Sequence, residues 1–232
     1  MMSADLTMQT LLRGMLSEQA ASEDVRVTHI TLDSRQVLPG GLFLLLAKDD
    51  EQRLQYLEQA LNHGAVAVAY DSGRGLTEEE KNICQQQKVM TYSVNDLSAN
   101  AGEMAARFYG HPSDKLTVIA ITGTNGKKSV SQFIAQALES LNIPCGVIGT
   151  LGVGRVNQLQ YTGMTTPDPV TLQAVLADFR AQAIHHVAIE ASSHALEQGR
   201  LNSVDIDIAV LTNLSRDHLD YHQSMDSYAA AK

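Results

Sequence analysis

The chain has 232 residues, 44% of them hydrophobic and 19% charged, which suits one large or two modest domains and is not a disordered composition. Its formal net charge of -9 argues against non-specific binding to nucleic acid or anionic membranes, because such binding needs clustered Lys and Arg. Cys84 and Cys145 show no metal-ligand or CxxC spacing, and we find no signal peptide and no apolar run long enough to cross a bilayer. We therefore expect reduced thiols in a cytoplasmic protein without membrane insertion; the sequence does not indicate an oligomeric state.

The first part of the chain alternates between helical and strand-like patterns. Five apolar residues near the start share one helical face: Met8, Leu11, Leu12, Met15 and Leu16. A helix is predicted over 56–64, with Gly64 just after its end, and 31–41 reads as a turn region. Runs of strand-forming residues predict strands at 25–32, 42–47, 65–70 and 89–94.

The second part begins with a predicted helix over about 96–109 that Gly110 ends, and we place a domain boundary near residue 96. The predicted domains are therefore 1–96 and 97–232. Strands follow at 116–122 and 145–150, and two buried strands are predicted at 185–190 and 207–212. A further helix is expected to begin at Pro169. This order predicts an α/β fold: a small N-terminal α/β domain, then an incomplete phosphate-loop α/β domain with a mostly parallel sheet.

Between the strands at 116–122 and 145–150 we expect a helix that begins near Lys127. Its apolar residues follow the i, i+3, i+4 spacing of a buried helical face: Val130, Phe133, Ile134, Ala137, Leu138 and Leu141.

The stretch "AITGTNGKKSV" at 120–130 is close to a phosphate-binding loop. Gly123 and Gly126 allow successive backbone N–H groups to converge on a phosphate, and the following helix directs its positive end there. The strict pattern G-x-x-x-x-G-K-[ST] fails at Ile121 and at Lys128. A glycine-rich turn without a ligand is the alternative on the loop alone.

Five motifs occur in register with one another: "TLDSR" at 31–35, "TGTNGK" at 122–127, "TTPDP" at 165–169, "EASSH" at 190–194 and "TNLSRDHLDYH" at 212–222. Together they resemble the Mur ligase family of peptidoglycan synthesis, over nearly the whole chain. The likeness is greatest to the members that add the third residue, meso-diaminopimelate or lysine, to UDP-MurNAc-L-Ala-D-Glu. The sequence alone does not choose between these two amino acids.

The resemblance implies a three-domain ligase that uses ATP and Mg²⁺, forms an acyl phosphate on the substrate and lets an amine attack it. Residues 1–96 would bind the UDP-MurNAc end, and 97–232 would be the ATP-binding central domain, which in the family continues past Lys232. The amino acid would be bound by a C-terminal Rossmann-like domain, so we expect residues 1–232 alone not to complete the ligation.

The resemblance also implies which residues act. Lys127 would neutralise phosphate, Glu190 and His218 would bind Mg²⁺, and Lys232 matches a carbamylated lysine whose anionic carbamate assists the metal. ATP would contact the loop and the start of its helix: Gly123, Thr124, Asn125, Gly126, Lys127, Lys128 and Ser129. Taken singly, Glu190 at a strand end and His218 in a polar turn are better explained as solvated surface residues, and the shared register of the five motifs reverses that interpretation.

Substrate contacts follow from the same resemblance. Leu32 and Ser34 would contact the uridine nucleotide. The muramoyl-dipeptide end would be held by Thr165, Thr166, Ser192, Gln198 and Arg200. Capping and turn formation are the ordinary alternatives for the Ser and Thr residues. The segment "KDDEQRL" at 48–54 departs from the family pattern, since it lacks a Gly and carries Asp49, Asp50 and Glu51. Acidic side chains that face a diphosphate are unfavourable unless they point away.

Lys128 stands where a hydroxyl normally ligates Mg²⁺, and a protonated amine cannot ligate a cation. Either Lys128 weakens Mg-ATP binding and impairs the enzyme, which we favour, or its ammonium partly replaces the Mg²⁺ charge. A non-catalytic UDP-MurNAc-peptide-binding fragment is the alternative function. Folylpolyglutamate synthetase is disfavoured by the "TLDSR" region, and a GTPase by the lack of N-K-x-D.

Overall fold

The computed structural model describes residues 6–17, 24–47 and 49–232, which divide into two compact units that meet between Gly110 and His111. This division falls after the helix at Leu97–Tyr109, whereas the sequence placed the boundary before it, near residue 96. The helix belongs to the first unit because Arg107 Nη1 donates to the carbonyls of Leu11 and Arg13, at 3.1 and 2.8 Å.

The first unit is an α/β layer with a parallel sheet. Its strands are β1 (Leu6–Thr7), β2 (Arg26–Val27), β3 (His29–Thr31), β4 (Gly41–Leu45), β5 (Ala65–Asp71) and β6 (Met90–Val94). Its helices are α1 (Met8–Leu11), α2 (Asp50–Asn62), α3 (Glu78–Gln86) and α4 (Leu97–Tyr109), with a 3₁₀ turn at Ser34–Gln36. The parallel sheet has the order β3-β4-β5-β6, and β1 pairs with β2 in a separate antiparallel ribbon.

The strands of this unit follow the sequence prediction except at the start of the chain, whereas α2 begins at Asp50 rather than near residue 56 and α3 was not predicted. The strand predicted over 25–32 is interrupted at Thr28 into β2 and β3. The apolar face from Met8 predicted a longer helix, but α1 ends at Leu11 and Leu16 instead forms an isolated bridge with Val94. A positive φ of 79° at Gly14 turns the chain out of the helical path.

The second unit is built on a five-stranded sheet. Its strands are β7 (Thr117–Thr122), β8 (Cys145–Gly149), β9 (Gly152–Arg155), β10 (His186–Glu190) and β11 (Ile208–Leu211). Its helices are α5 (Lys127–Ser140), α6 (Pro169–Ala181), α7 (Ser193–Glu197), α8 (Leu219–His222) and α9 (Met225–Ala230), with a 3₁₀ turn at Pro112–Lys115. The sheet order is β11-β7-β10-β8-β9, parallel except for β9.

Each face of this sheet carries its own hydrophobic cluster. The cluster on one side includes Val118, Leu172, Leu176 and Phe179, and draws on β7 and α6. The other side is formed by the following residues: Ile119, Ile121, Ala135, Cys145, Val147 and Ala188. Burial on both faces is typical of a parallel sheet. Because β11, β7, β10 and β8 are parallel, their carboxyl ends share one edge.

Two predictions about burial were wrong. Phe133 in α5 and Leu141 just after it are 66% and 68% exposed. The helix instead presents Ser131 and Ala135 to the sheet, with Val130 at their flank. The strand predicted over 207–212 forms as β11, but it is largely exposed rather than buried. It lies at the sheet edge with β7 as its one strand neighbour, and an apolar run does not by itself distinguish edge from centre.

Cys84 and Cys145 are free and buried, and burial raises the pKa of each thiol to about 11. Within the described residues, no helix is both long and apolar enough to cross a membrane.

A buried ion pair joins α2 to α3 in the first unit. Arg53 Nε lies 2.6 Å from Glu80 Oε1, and both side chains are 2% exposed. Glu80 Oε2 also accepts from the Thr77 backbone N–H at 2.8 Å, and Arg53 Nη2 donates to the Gly75 carbonyl at 2.7 Å. Removing one partner would leave the other charge buried without compensation.

We therefore expect Glu80→Ala to lower the free energy of unfolding of the first unit by about 3–5 kcal/mol, measured by urea denaturation. Glu79→Ala is the matched control, because Glu79 is exposed in the same helical turn. A change of less than about 1 kcal/mol in Glu80→Ala would contradict the importance of this ion pair.

Candidate functional site

The loop after β7 adopts the conformation that its glycines permit. Gly123 and Gly126 have φ of 138° and 85°, and Gly126 precedes α5. A Cβ atom on Gly123 would collide with Thr212 Oγ1, so both space and conformation require glycine there. In the described structure no side chain caps the N-terminus of α5, which leaves its first N–H groups free for an anion.

The segment after β11 holds this loop in place. Asn213 accepts from the loop at two atoms: its carbonyl from the Thr124 N–H at 3.0 Å and its Oδ1 from the Asn125 N–H at 3.2 Å. Thr124 Oγ1 donates to the Ser215 carbonyl at 3.1 Å and accepts from the Ser215 N–H at 2.9 Å. The motif at 212–222 did not by itself predict this role for Asn213 or Ser215.

Two ammonium groups converge on the loop carbonyls. Lys127 Nζ donates to Gly123 O at 2.6 Å and Thr124 O at 3.1 Å, while Lys232 Nζ donates to Gly123 O at 3.0 Å. Lys232 Nζ also lies 4.8 Å from the centre of the Tyr228 ring. The loop thus concentrates positive charge where the helix N-terminus already attracts anions.

Burial shifts the pKa of both amines. It lowers the pKa of Lys127, against the opposing attraction of Glu190 and Asp217. The pKa of Lys232 falls to about 8, first because of burial and second because of repulsion by Lys127. A substantial fraction of the Lys232 amine is therefore neutral near pH 8.

Glu190 ends β10 and is 1% exposed. Both carboxylate oxygens accept from Thr150, Oε1 from its backbone N–H at 3.1 Å and Oε2 from its hydroxyl at 2.9 Å. The Thr150 hydroxyl also lies 3.1 Å from Thr165 Oγ1. Thr150 was not among the predicted site residues, because its one signal, a position directly after a buried strand, does not distinguish it from other threonines.

His218 lies in the left-handed region, with φ of 50°, at the start of α8. Its Nε2 is 3.8 Å from Asp217 Oδ2, and its ring centre is 5.1 Å from that of His194. Burial, then the neighbouring His218 and His222, lower the pKa of His194. His218 itself is substantially exposed and open to a ligand.

The donor set can be tested against a magnesium ion. Within the described residues, no group of three or more His, Cys, Asp or Glu side chains is placed to hold a metal ion. Mg²⁺ is usually held by one or two carboxylates while waters and phosphate oxygens complete its shell, so a buried, oriented Glu190 fits this role. His218 is a less usual ligand for Mg²⁺.

The residues predicted to hold the muramoyl-dipeptide end form one connected group. Thr166 Oγ1 donates to the Glu190 carbonyl at 2.6 Å and accepts from the Ser192 N–H at 3.2 Å. Arg200 donates from Nη1 to Thr166 O at 2.8 Å and from Nε to Gln198 Oε1 at 3.0 Å. The structure thus brings Thr165 and these residues to the same strand ends as Glu190.

Leu32 and Ser34 belong to the first unit. Ser34 is buried, and its hydroxyl donates to Gln59 Oε1 at 2.7 Å. The Ser34 carbonyl lies 3.0 Å from His63 Nδ1, and Leu32 is half-buried beside the 3₁₀ turn.

The acidic residues of the 48–54 segment have local partners. Asp49 caps α2 by accepting from the Gln52 N–H at 2.9 Å, and Asp50 pairs with Arg74. Glu51 lies exposed in the first turn of α2, where a negative charge favours the helix dipole. Lys48 lies outside the described residues.

Lys128 and Ser129 occupy exposed positions in the first turn of α5. One residue on a helix corresponds to about 100° of rotation, so Ser129 does not present its hydroxyl where the side chain of residue 128 points.

Comparison with known proteins gives matches along most of the chain. The family model described as Mur ligase middle domain matches residues 121–232. The UDP-N-acetylmuramoyl-L-alanyl-D-glutamate–2,6-diaminopimelate ligase of Pseudomonas putida is 48% identical over 212 residues, 91% of this chain and 42% of that protein. The ligase of the same name from Coxiella burnetii is 46% identical over 214 residues, 92% of this chain and 42% of that protein.

A solved structure of a ligase with this name superposes with a TM-score of 0.79 and 35% identity, over 98% of this chain and 44% of that one. MurF from Acinetobacter baumannii, at a TM-score of 0.63 and 18% identity over 97% of this chain and 44% of that one, shares the fold. The chain therefore spans less than half the length of the relatives it matches.

We expect the Lys232 amine to titrate near pH 8, well below the ordinary lysine value of 10.5, because it is buried beside Lys127. The ¹³Cε shift of labelled lysines, followed from pH 6 to 11, measures this. Lys81 is the internal control, because its ion pair with Glu78 raises its pKa. Lys127→Met removes the like charge and should move the Lys232 midpoint upward; a midpoint near 10.5 in the unsubstituted chain would refute the prediction.

Proposed function

Because the chain belongs to the Mur ligase family, we propose that it is part of an ATP-dependent ligase that adds the third amino acid to UDP-MurNAc-L-Ala-D-Glu. The names of its relatives favour 2,6-diaminopimelate as that amino acid. The observation that carries the proposal is the combination at adjacent strand ends of a glycine loop, two lysines and a buried glutamate.

The proposed reaction begins when an oxygen of the substrate carboxylate attacks the γ-phosphorus of ATP, giving an acyl phosphate and ADP. The amine of the incoming amino acid then attacks the acyl carbon, and inorganic phosphate leaves. The reacting groups are all anionic in the first step, so the site must supply positive charge and fixed geometry. The first N–H groups of α5 and the ammonium of Lys127 supply that charge.

Mg²⁺, when bound, would neutralise the phosphate oxygens, with Glu190 and His218 as the residues that hold it. Thr165, Thr166, Ser192, Gln198 and Arg200 would orient the dipeptide end of the substrate. A guanidinium suits this task because it pairs with carboxylates at two donors.

Lys232 would become a carbamate by attack of its neutral amine on carbon dioxide, with loss of a proton. A pKa of about 8 supports this role, because only the unprotonated amine is nucleophilic. The carbamate would be anionic and could then act on the metal, as the family resemblance implies.

Lys128 would impair this chemistry. Its ammonium cannot ligate Mg²⁺, and its charge repels a cation near the start of α5. The proposed enzyme is therefore weak in Mg-ATP use, in contrast to a loop with Ser or Thr at this position. The competing hypothesis is that Lys128 stands in for part of the Mg²⁺ charge.

Lys128 is also the observation that favours a second candidate function. If the nucleotide half is inactive, the chain would be a non-catalytic binder of UDP-MurNAc-peptide, with Leu32 and Ser34 at the uridine end.

Both functions imply a cytoplasmic location, because ATP and the UDP-linked precursor are cytoplasmic molecules. Neither involves nucleic acid, in agreement with the net charge of -9.

Calorimetric titration with ATP, with and without Mg²⁺, tests the proposal. We expect weak binding that Mg²⁺ strengthens little, and we expect Lys128→Thr to increase the Mg²⁺-dependent affinity by about tenfold or more, because it removes a like charge and restores a hydroxyl. Lys128→Met is the control that removes the charge without adding a ligand.

Unchanged affinity and Mg²⁺ dependence in Lys128→Thr would show that Lys128 is not the defect. Affinity that is strong without Mg²⁺ and lost in Lys128→Met would favour the substitute-cation hypothesis. Binding of UDP-MurNAc-L-Ala-D-Glu by a folded chain that binds no ATP, even as Lys128→Thr, would favour the non-catalytic function.

A further inference from the structure

Thr150 is the residue that contacts both carboxylate oxygens of Glu190. Its backbone N–H donates to Oε1 at 3.1 Å and its hydroxyl donates to Oε2 at 2.9 Å. Two donors from one residue fix the rotation of the carboxylate plane, which a single hydrogen bond would not do. Because Glu190 is 1% exposed, bulk water cannot replace these donors.

Gly149 allows Thr150 to come this close. β8 and β10 are parallel neighbours, with Ile148 opposite Ile189, so the ends of the two strands lie side by side. A Cβ atom on Gly149 would collide with the Glu190 carboxylate. The glycine is needed here for space, and it brings the next N–H within reach of Oε1.

The hydroxyl protons of Thr150 and Thr165 each have a defined hydrogen-bond acceptor. A carboxylate that ligates a cation is ionised and only accepts, so the single hydroxyl proton of Thr150 points to Glu190. The contact of 3.1 Å between Thr150 Oγ1 and Thr165 Oγ1 must then use the proton of Thr165. With that proton committed, the Thr165 oxygen can only accept from a ligand.

We propose that Thr150 is a positioning residue that orients the Glu190 carboxylate toward Mg²⁺, and that Thr165, by donating to Thr150, recognises a hydrogen-bond donor on the substrate. The inference rests on the proposed function and assigns a role to a residue outside the expected site. Each oxygen of Glu190 keeps a lone pair that Thr150 does not use, and these are the ones available to the ion. Partners that orient a metal ligand typically change metal affinity by about 10- to 100-fold.

The test measures metal binding in the Lys128→Thr chain, in which the competing ammonium is absent. The probe is Mn²⁺ in the presence of ADP, with free Mn²⁺ followed by electron paramagnetic resonance. We expect Thr150→Val to weaken Mn²⁺ binding by about 10- to 100-fold, and Thr150→Ser, which keeps the hydroxyl, to remain within about threefold of the parent. Thr162→Val is the matched control, because Thr162 is exposed nearby in sequence and does not contact Glu190 in the structure.

A second measurement separates positioning from a general structural role. ADP binding without metal should be unchanged in Thr150→Val, whereas a collapsed site would lose both. Thr150 is an exposed residue, so Thr150→Val creates no cavity in the hydrophobic core. Should Thr150→Val fail to fold, Thr150→Ala removes the same hydroxyl without adding a methyl group in its place.

The role of Thr150 would be overturned if a folded Thr150→Val or Thr150→Ala variant bound Mn²⁺ with the same affinity as the parent. The proposed function would remain intact. Failure of the parent itself to bind Mn²⁺ with ADP would refute the proposed nucleotide function, and the role of Thr150 with it. Thr165→Val should leave Mn²⁺ binding within about threefold, because the contacts from Thr150 to Glu190 remain. It should weaken UDP-MurNAc-L-Ala-D-Glu binding by about tenfold, and an unchanged affinity would refute the assignment of Thr165.

Discussion

The candidate site depends on the parallel pairing of β10 with both of its neighbours, β7 and β8. The register places Glu190 opposite Ile121, so this carboxylate ends beside the strand from which the glycine loop departs. On the other side it ends beside Gly149 and Thr150. The carboxyl ends of parallel strands lie at one edge of a sheet, and here that edge brings the glycine loop close to Glu190, the proposed metal ligand. The glycine loop, Thr150 and Glu190 are far apart in sequence, so only the pairing of the strands brings them together.

The glycine loop after β7 is held in its conformation by hydrogen bonds to the segment after β11 as well as by its own glycines. The N–H groups of Thr124 and Asn125 are committed to Asn213. The first N–H groups of α5 have no side-chain cap in the described structure and are the proposed anion receptor. The amines of Lys127 and Lys232 lie against the loop carbonyls. Burial and, second, repulsion by Lys127 lower the pKa of Lys232. In the proposed function, the charge that would serve phosphate binding would therefore also favour the neutral form of this amine.

Lys128 is at odds with an arrangement that otherwise agrees with the family. The loop, the buried glutamate and the connected group around Thr166 and Arg200 are all in place, so a single side chain on the first turn of α5 is the departure with the clearest consequence. In the proposed function its effect would be local and electrostatic rather than structural, because Lys128 is exposed and α5 forms with it in the first turn. The acidic residues at 49–51 are a lesser departure, since Asp49 caps a helix and Asp50 pairs with Arg74.

The sequence by itself determined the α/β order, the glycine loop, the helix start at Pro169 and the five motifs that indicate the family, because these depend on local pattern and backbone chemistry. It could not determine which apolar face of α5 is buried, that β11 lies at a sheet edge, or that the helix at 97–109 belongs to the first unit. Those depend on which elements become neighbours. Thr150 is the clearest case: a lone threonine after a strand has no distinguishing pattern, and only the register of β8 against β10 places its two donors on the carboxylate of Glu190.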